Sequence, residues 1–398
     1  MDRFLFNIIA AGILLMCMCG GRPAPSSAAS PPEPDMRKTP AVVTGGAQTD
    51  RMRVAFINPG TSDPNDPTGG FWLSVSAVMK ESARQLNIDL EIIYSERDHI
   101  RMQQQAREVA GRPVLPDYLI VVNEKLAADE MVKSADRAGL KVFVMSNGFS
   151  GEQAIQMGRP RDKYKNWIGS LIPDNRFGGY QIARGIIDRA AKTGAARVDR
   201  IRLLAISGDP ATMASTQRVE GLKQALSEHP DVELQQVFMG EWRQDRAREQ
   251  TKIALTRYPK TDAIWAANDP MAIGAMEGAI EAKRQPGKDI FIGGLNWDPP
   301  ALERVKNGSL SVSVGGHFMI GGWVLALLYD HHHGRDFADE GVEFQCPLFG
   351  PLDSKNIDAF LGKFGDRNWS KIDFTRLSKV HNTHAHKYNF SVKDLIGL

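Results

Sequence analysis

From Arg53 onward, short apolar runs alternate with longer stretches in which apolar positions recur every three to four residues. MRVAFINPG is one such run, stopped by Pro59-Gly60, and FWLSVSAVMKESARQL follows with helical spacing. LEIIYS, HIRMQQQAREVAGR, DYLIVVN, AADEMVKSADRAG and KVFVMSN continue the same alternation. Strand-length apolar runs separated by amphipathic helices predict βαβ units, and therefore a parallel sheet covered by helices on both faces. A polar, Gly-rich connection at 148–165 interrupts the rhythm, which resumes with NWIGSL and RFGGYQIARGIIDRAAKTG and runs to DIFIGGL. SLSVSVGGH, the apolar helix MIGGWVLALLYDHHHG and a strand around VEFQCPLF complete the count of elements. Beyond about residue 353 the chain is polar with weak periodicity.

The N-terminus breaks this pattern. After Met1-Asp2-Arg3 comes FLFNIIAAGILLMCMCGG, an apolar stretch shorter than the ~20 residues of a comfortable membrane span. RPAPSSAASPPEP follows, with small-residue cleavage options near Ala28 and Ala29. Residues 1–29 therefore read as an export signal, with an uncleaved signal anchor as the alternative. Cys17 and Cys19 add a third option, a lipid-anchored cysteine. The Pro/Ala/Ser/Gly-rich stretch 30–50 is expected to be a disordered linker. Cys346 is the one cysteine outside the leader, so an internal disulfide in the folded part is excluded. Lys+Arg (49) nearly balances Asp+Glu (47), and without a basic tract nucleic acid is disfavoured as a partner.

Two α/β units with a connection between them imply a ligand cleft, and in such sheets the loops at the strand carboxyl ends carry the site. Those loops are GTSDPNDPTGGFW, NEK, SNGFSG, SGDPATMAST, ANDP, LNWDPP and GGHF. They are rich in Asn, Asp, Ser, Thr and Trp and poor in Lys and Arg. That mixture suits a polar, uncharged, polyhydroxylated molecule: amides and carboxylates for hydroxyls, aromatic faces for the C–H side of a ring.

In their order and spacing these segments resemble the periplasmic binding proteins of the ribose/galactose-binding type. The resemblance covers about Arg53 to Asn356. It rests on RVAFINPG with the following FW, IGSLIPDNRFGGYQIA, RVEGLKQAL, AANDPMAIGAM and GGLNWDPPALERVKNGSLSVSV. It implies an α/β fold of two Rossmann-like parallel-sheet lobes joined by a multi-strand hinge. Residues 51–149 plus 316–345 would form the N-terminal lobe, and 150–315 plus 346–398 the C-terminal lobe and tail. The loops are most similar to the branch containing the autoinducer-2 receptor, where an aromatic, an asparagine and an arginine touch ligand. By that likeness Trp72, Asn147 and Arg218 are ligand contacts. Gly315-Gly316-His317 stands where that receptor has a second ligand-gripping arginine, so a neutral sugar-like ligand is expected instead.

Further candidates come from strand ends and helix starts. Phe71 adjoins Trp72, but neighbours on a helix diverge by about 100°, so one of the two is expected to face the cleft. Asn123 and Asn147 end apolar strands. Arg218 is read in the first turn of a helix, where a cation opposes the helix dipole. In IWAANDPMAIGAM, Asp269 is read as the helix cap with Pro270 at the first position, and as a ligand grip ahead of Asn268. Asn296, Trp297 and His317 complete the set. Neither the 331–333 histidine run nor His381, His384 and His386 has metal-site spacing, and no hydrolase elbow, phosphate loop or H-E-x-x-H motif is present. The expected protein is an exported solute-binding protein, not an enzyme, without cofactor or metal, and monomeric. It would deliver its ligand to the permease of an ABC-type importer, or present the closed state to a membrane sensor kinase or chemoreceptor.

Overall fold

The computed structural model describes residues 51–193 and 200–397. The export signal, the linker and the Cys17/Cys19 options lie outside the described residues.

The first strand, β1 (Arg53–Asn58), is buried along nearly its whole length, as are β3 (Tyr118–Val121), β4 (Lys141–Met145) and β5 (Trp167–Pro173). Continuous apolar runs are what a strand covered on both faces requires. β2 (Asp89–Tyr94) is more polar because it lies at the sheet edge. With β11 (Glu343–Cys346) these make a six-stranded sheet in the order β11-β5-β4-β3-β1-β2. All its pairings are parallel, with Arg53 opposite Asp89 and Val54 opposite Tyr118.

The second sheet repeats the plan. It comprises β6 (Ile201–Ser207), β7 (Val232–Met239), β8 (Ala263–Ala266), β9 (Phe291–Asn296), β10 (Val312–Gly315) and β12 (Gly350–Leu352), ordered β12-β10-β9-β8-β6-β7. Only the last pairing, β10 with β12, is antiparallel. In each sheet the strand order reverses beside the first strand of the unit, and the crevice at such a point is where open α/β sheets hold ligands.

β5 joins the first sheet, so that sheet reaches Pro173, past the expected 149/150 division. An alternation of strands and helices does not say which sheet a strand enters. The pause at 148–165 contains a short helix, α4 (Gly151–Met157), and the crossing into the second lobe comes after Pro173. Three connections pass between the sheets: β5 to α5 (Asn175–Thr193), β10 to α10 (Ile320–His332), and β11 to β12.

In the second lobe α5 lies against α6 (Met213–Glu228) at a distance only glycine permits. A Cβ on Gly179 would sit 2.0 Å from the Arg218 carbonyl oxygen, and one on Gly221 would sit 1.9 Å from that of Arg176. The FGG and RVEG segments therefore fix where α6 presents Arg218. α1 (Phe71–Gln85) packs on α10 in the first lobe, and α7 (Gln244–Arg257) on α8 (Asp269–Glu281) in the second.

The tail does not belong to the second lobe alone. α11 (Ile357–Phe364) packs on α9 (Pro299–Lys306) of the second lobe, whereas the turns at 369–371 and 374–377 pack on α1 and α10 of the first.

Candidate functional site

A cavity opens where the strand ends of the two sheets face each other. The first lobe contributes Thr68, Phe71, Trp72, Arg97, Glu124, Ser146 and Asn147 to its wall, and the second contributes Ala214, Arg218, Trp242, Asn268 and Asn296. His317, in the β10–α10 crossover, completes it. The cavity has a volume of about 60 Å³. A space of that size admits a few hydroxyl-sized groups.

The aromatic wall is built at the start of α1. The Phe71 ring stacks on the His317 imidazole with centroids 4.5 Å apart and planes 19° apart. Trp72 stands edge-on to Phe71 and is 8 % exposed, so both residues of the pair reach the cavity rather than one. The Asn58 amide, at the end of β1, donates to the Trp72 carbonyl (3.3 Å) and to Ser76 Oγ (2.9 Å), which anchors the helix start to the strand.

Arg218 is buried without an ion-pair partner among the described residues. α6 begins at Met213, so Arg218 lies in its second turn and the dipole argument drawn from the sequence does not apply. Hydrogen bonds hold it instead: Nε donates to Asn175 Oδ1 (3.1 Å) and Nη1 to the Ala267 carbonyl (2.7 Å). Its guanidinium also faces the Trp242 ring at 5.4 Å. Burial pushes its pKa down to about 9, with nearby Asp269 acting the other way, so it is cationic at neutral pH.

Arg218 Nη2 approaches His317 Nε2 at 3.5 Å. Burial, reinforced by the Arg218 charge, holds His317 well below the usual histidine range, so the imidazole is neutral. A guanidinium can only donate, which assigns the Nε2 lone pair to Arg218 and the ring proton to Nδ1. That Nδ1–H is buried with no protein partner among the described residues.

Across the cleft, the one acid on the cavity wall is already engaged. Glu124 accepts from Arg97 Nη2 (3.0 Å) and, at a long 3.4 Å, from Asn147 Nδ2. Asn147 Oδ1 accepts the backbone N–H of Ala214 at 3.1 Å, joining the first lobe to the start of α6. Lys125 and Asp209 form a second bridge between the lobes at 3.5 Å.

Three residues expected at the ligand do not reach the wall. The Asn123 amide donates to the Gly148 carbonyl and Gln153 Oε1 and accepts from Ala128 N, which fixes the β3 and β4 loops. Trp297 is a packing residue: its indole N–H donates to the Ser313 and Gly350 carbonyls, both at 3.1 Å, and its ring packs on Phe360. Asp269 is fully buried behind the cavity. It accepts from Ser313 Oγ (2.8 Å) and Asp298 N (3.0 Å), and so holds the turn that follows β9. Burial raises its pKa well above the usual carboxylate range, and the Asp298 charge adds to this.

The cap of α8 is Asn268, whose Oδ1 accepts from Met271 N (2.9 Å), not Asp269. Asn268 Nδ2 donates to the Trp242 carbonyl at 3.1 Å, so the cap also shapes the cavity wall. The sequence reading passed over Thr68, Arg97, Glu124, Ser146, Ala214 and Trp242. Arg97 and Glu124 look like solvated loop charges until the fold pairs them. Among the described residues no group of His, Cys, Asp or Glu has the arrangement of a metal site.

Comparison with known proteins agrees with this architecture. Residues 62–336 match the periplasmic binding protein domain. Similar proteins include the ribose import binding protein RbsB of Bacillus subtilis, 26 % identical over 65 % of this chain and 75 % of its own length. The D-allose-binding periplasmic protein of Escherichia coli is 23 % identical over 61 % of this chain and 74 % of its own. The crystal structure of a periplasmic sugar-binding protein from Pseudomonas fluorescens superposes with a TM-score of 0.76 at 36 % identity, covering 87 % of this chain and all (100 %) of that one.

Proposed function

The chain belongs to the periplasmic binding protein family, and on that premise we propose that it captures a small neutral sugar-like ligand between its lobes and delivers it to an ABC-type importer. The observation that carries this reading is the cavity wall, to which both lobes contribute aromatic faces and amides, while its single carboxylate is paired with Arg97. A hydroxyl-rich ring matches that inventory. Phe71, Trp72 and Trp242 offer flat apolar faces, and Asn147, Asn268 and Asn296 offer amides. Arg218 and the His317 Nδ1–H supply donors from a buried position, where each hydrogen bond counts for more than in water. Ribose and allose, named for two similar proteins, are neutral, hydroxyl-rich rings of this kind.

Capture works by population shift. A ligand touching both lobes favours the closed arrangement, and about 5.5 kcal/mol of differential binding moves such a balance from mostly open to mostly closed. The three connections between the sheets are the segments that would flex, and the permease would read the closed surface in the periplasm. A thermal-shift screen of neutral monosaccharides and polyols, with the corresponding sugar acids as controls, tests the reading. A rise in melting temperature with at least one neutral sugar is expected. No shift with any of them would overturn the ligand class.

A further inference from the structure

The C-terminal segment passes from one lobe to the other behind the cavity, separately from the three connections between the sheets. α11 lies on α9 of the second lobe, and by Trp369 the chain is on α1 of the first. Gln85 of α1 fastens it there, donating to the Ile372 carbonyl (2.9 Å) and accepting from Phe374 N (2.7 Å). Arg367 stands at the crossing, in a left-handed backbone conformation (φ 55°). Its guanidinium divides between the lobes. Nη1 donates to the Trp297 carbonyl (3.1 Å) in the turn after β9, and Nη2 donates to Ser74 Oγ (2.6 Å) on α1. Phe318 and Trp369 face the guanidinium at 5.1 and 5.0 Å.

Both ends of this contact lead to the cavity. Ser74 is about one turn along α1 from Phe71. The Trp297 turn lies between Asn296, on the cavity wall, and Asp298, whose Oδ2 accepts from Asn296 Nδ2 at 3.1 Å. A groove of about 540 Å³ separates the lobes beside Arg367, lined by Gly70, Ser74, Pro270, Asp298 and Pro299 among others. At its other end the Gln244 backbone N–H donates to the Pro67 carbonyl (3.0 Å) and Gly69 lies against Pro270, while beside Arg367 the guanidinium is the side chain that bonds to both walls.

We propose that Arg367 is a positioning residue that ties the two lobes together behind the ligand site, so that the C-terminal segment biases the protein toward its closed form. A planar guanidinium suits this task because its two Nη groups point to separate acceptors in a fixed geometry, and a lysine ammonium has no such fork. The inference rests on reading the two lobes as a closing pair. Its test needs no ligand, so a failed tie and a failed sugar screen are separate results.

The test is small-angle scattering of the ligand-free full chain, as wild type, Ser74→Ala, Arg367→Lys, Arg367→Ala and the Ser74→Ala/Arg367→Ala double variant. Ser74→Ala removes the first-lobe end, together with the Ser74 hydroxyl's bond to the Gly70 carbonyl (3.1 Å), and leaves the tail packing in place. It is expected to increase the radius of gyration. Arg367→Lys is expected to do the same while its melting temperature stays near that of wild type, and the double variant is expected to expand no further than Arg367→Ala. Should Arg367→Ala fail to fold, Ser74→Ala and Arg367→Lys decide the question. Wild-type scattering from Ser74→Ala and Arg367→Lys would overturn the proposal. So would expansion on changing Arg367 but not Ser74, which would make Arg367 a packing residue of the tail.

Discussion

Asn147 and Ala214 belong to different lobes, and the amide oxygen of the first accepts the backbone N–H of the second at 3.1 Å. Ala214 lies near the start of α6, where backbone N–H groups lack partners within the helix. The first lobe therefore satisfies a donor of the second, beside the same Asn147 amide that approaches Glu124.

Replacing Asn147 with alanine leaves that buried N–H unpaired and removes one amide from the wall. An unsatisfied buried donor costs about 1–3 kcal/mol. Most of this falls on the closed form, so ligand affinity should drop by roughly five- to 150-fold at 1.4 kcal/mol per decade. Calorimetric titration measures it, and the unliganded melting temperature should change little.

Trp297 gives the opposite pattern. Its indole N–H is shared between the Ser313 and Gly350 carbonyls, and its ring is packed in the second lobe. Trp297→Phe keeps most of the apolar volume and removes the donor, which should cost about 1–3 kcal/mol of stability. Urea unfolding should show this loss, with ligand affinity within about threefold of wild type. A large affinity loss without a stability loss would restore the stacking role expected from the sequence.

His317 makes stability depend on pH. Its folded-state pKa lies well below the ordinary value, because of burial and then the Arg218 charge. As pH falls through about 6.5 the unfolded chain binds a proton that the folded chain refuses, so the stabilising contribution is present above that pH and lost below it. Denaturant unfolding of wild type and His317→Gln between pH 7.5 and 5 isolates the effect. The wild-type stability relative to the variant should decline on acidification, approaching about 1.4 kcal/mol per pH unit. A pH-independent difference would mean the imidazole titrates normally.

The strands were legible because central parallel strands are apolar on both faces, as β3 and β8 show. The amides at strand ends were legible too, since Asn147 and Asn268 each follow an apolar run. What local sequence does not encode is direction. Asn and Asp cap helices almost equally well, so nothing in the NDP triplet says that Asn268 reaches Met271 N while Asp269 turns inward to Ser313. The packing of Trp297 is not encoded locally for the same reason: a strand-end aromatic faces cleft or core according to backbone geometry, and here its φ is 61°. Trp242 escaped notice in a polar run, where its own left-handed backbone (φ 66°) accompanies its place on the cavity wall. Arg97 and Glu124 are 27 residues apart and become a pair only through the fold. The tail crossing at Arg367 lacks periodicity and depends on single contacts.

The most direct test of the central claim is calorimetric titration of the purified protein with neutral monosaccharides, D-ribose and D-allose among them, in wild type and Asn147→Ala. Saturable one-to-one binding of at least one sugar, weakened at least fivefold in the variant, is the expected result. No saturable heat with any neutral sugar, or equal affinity in both proteins, would contradict it.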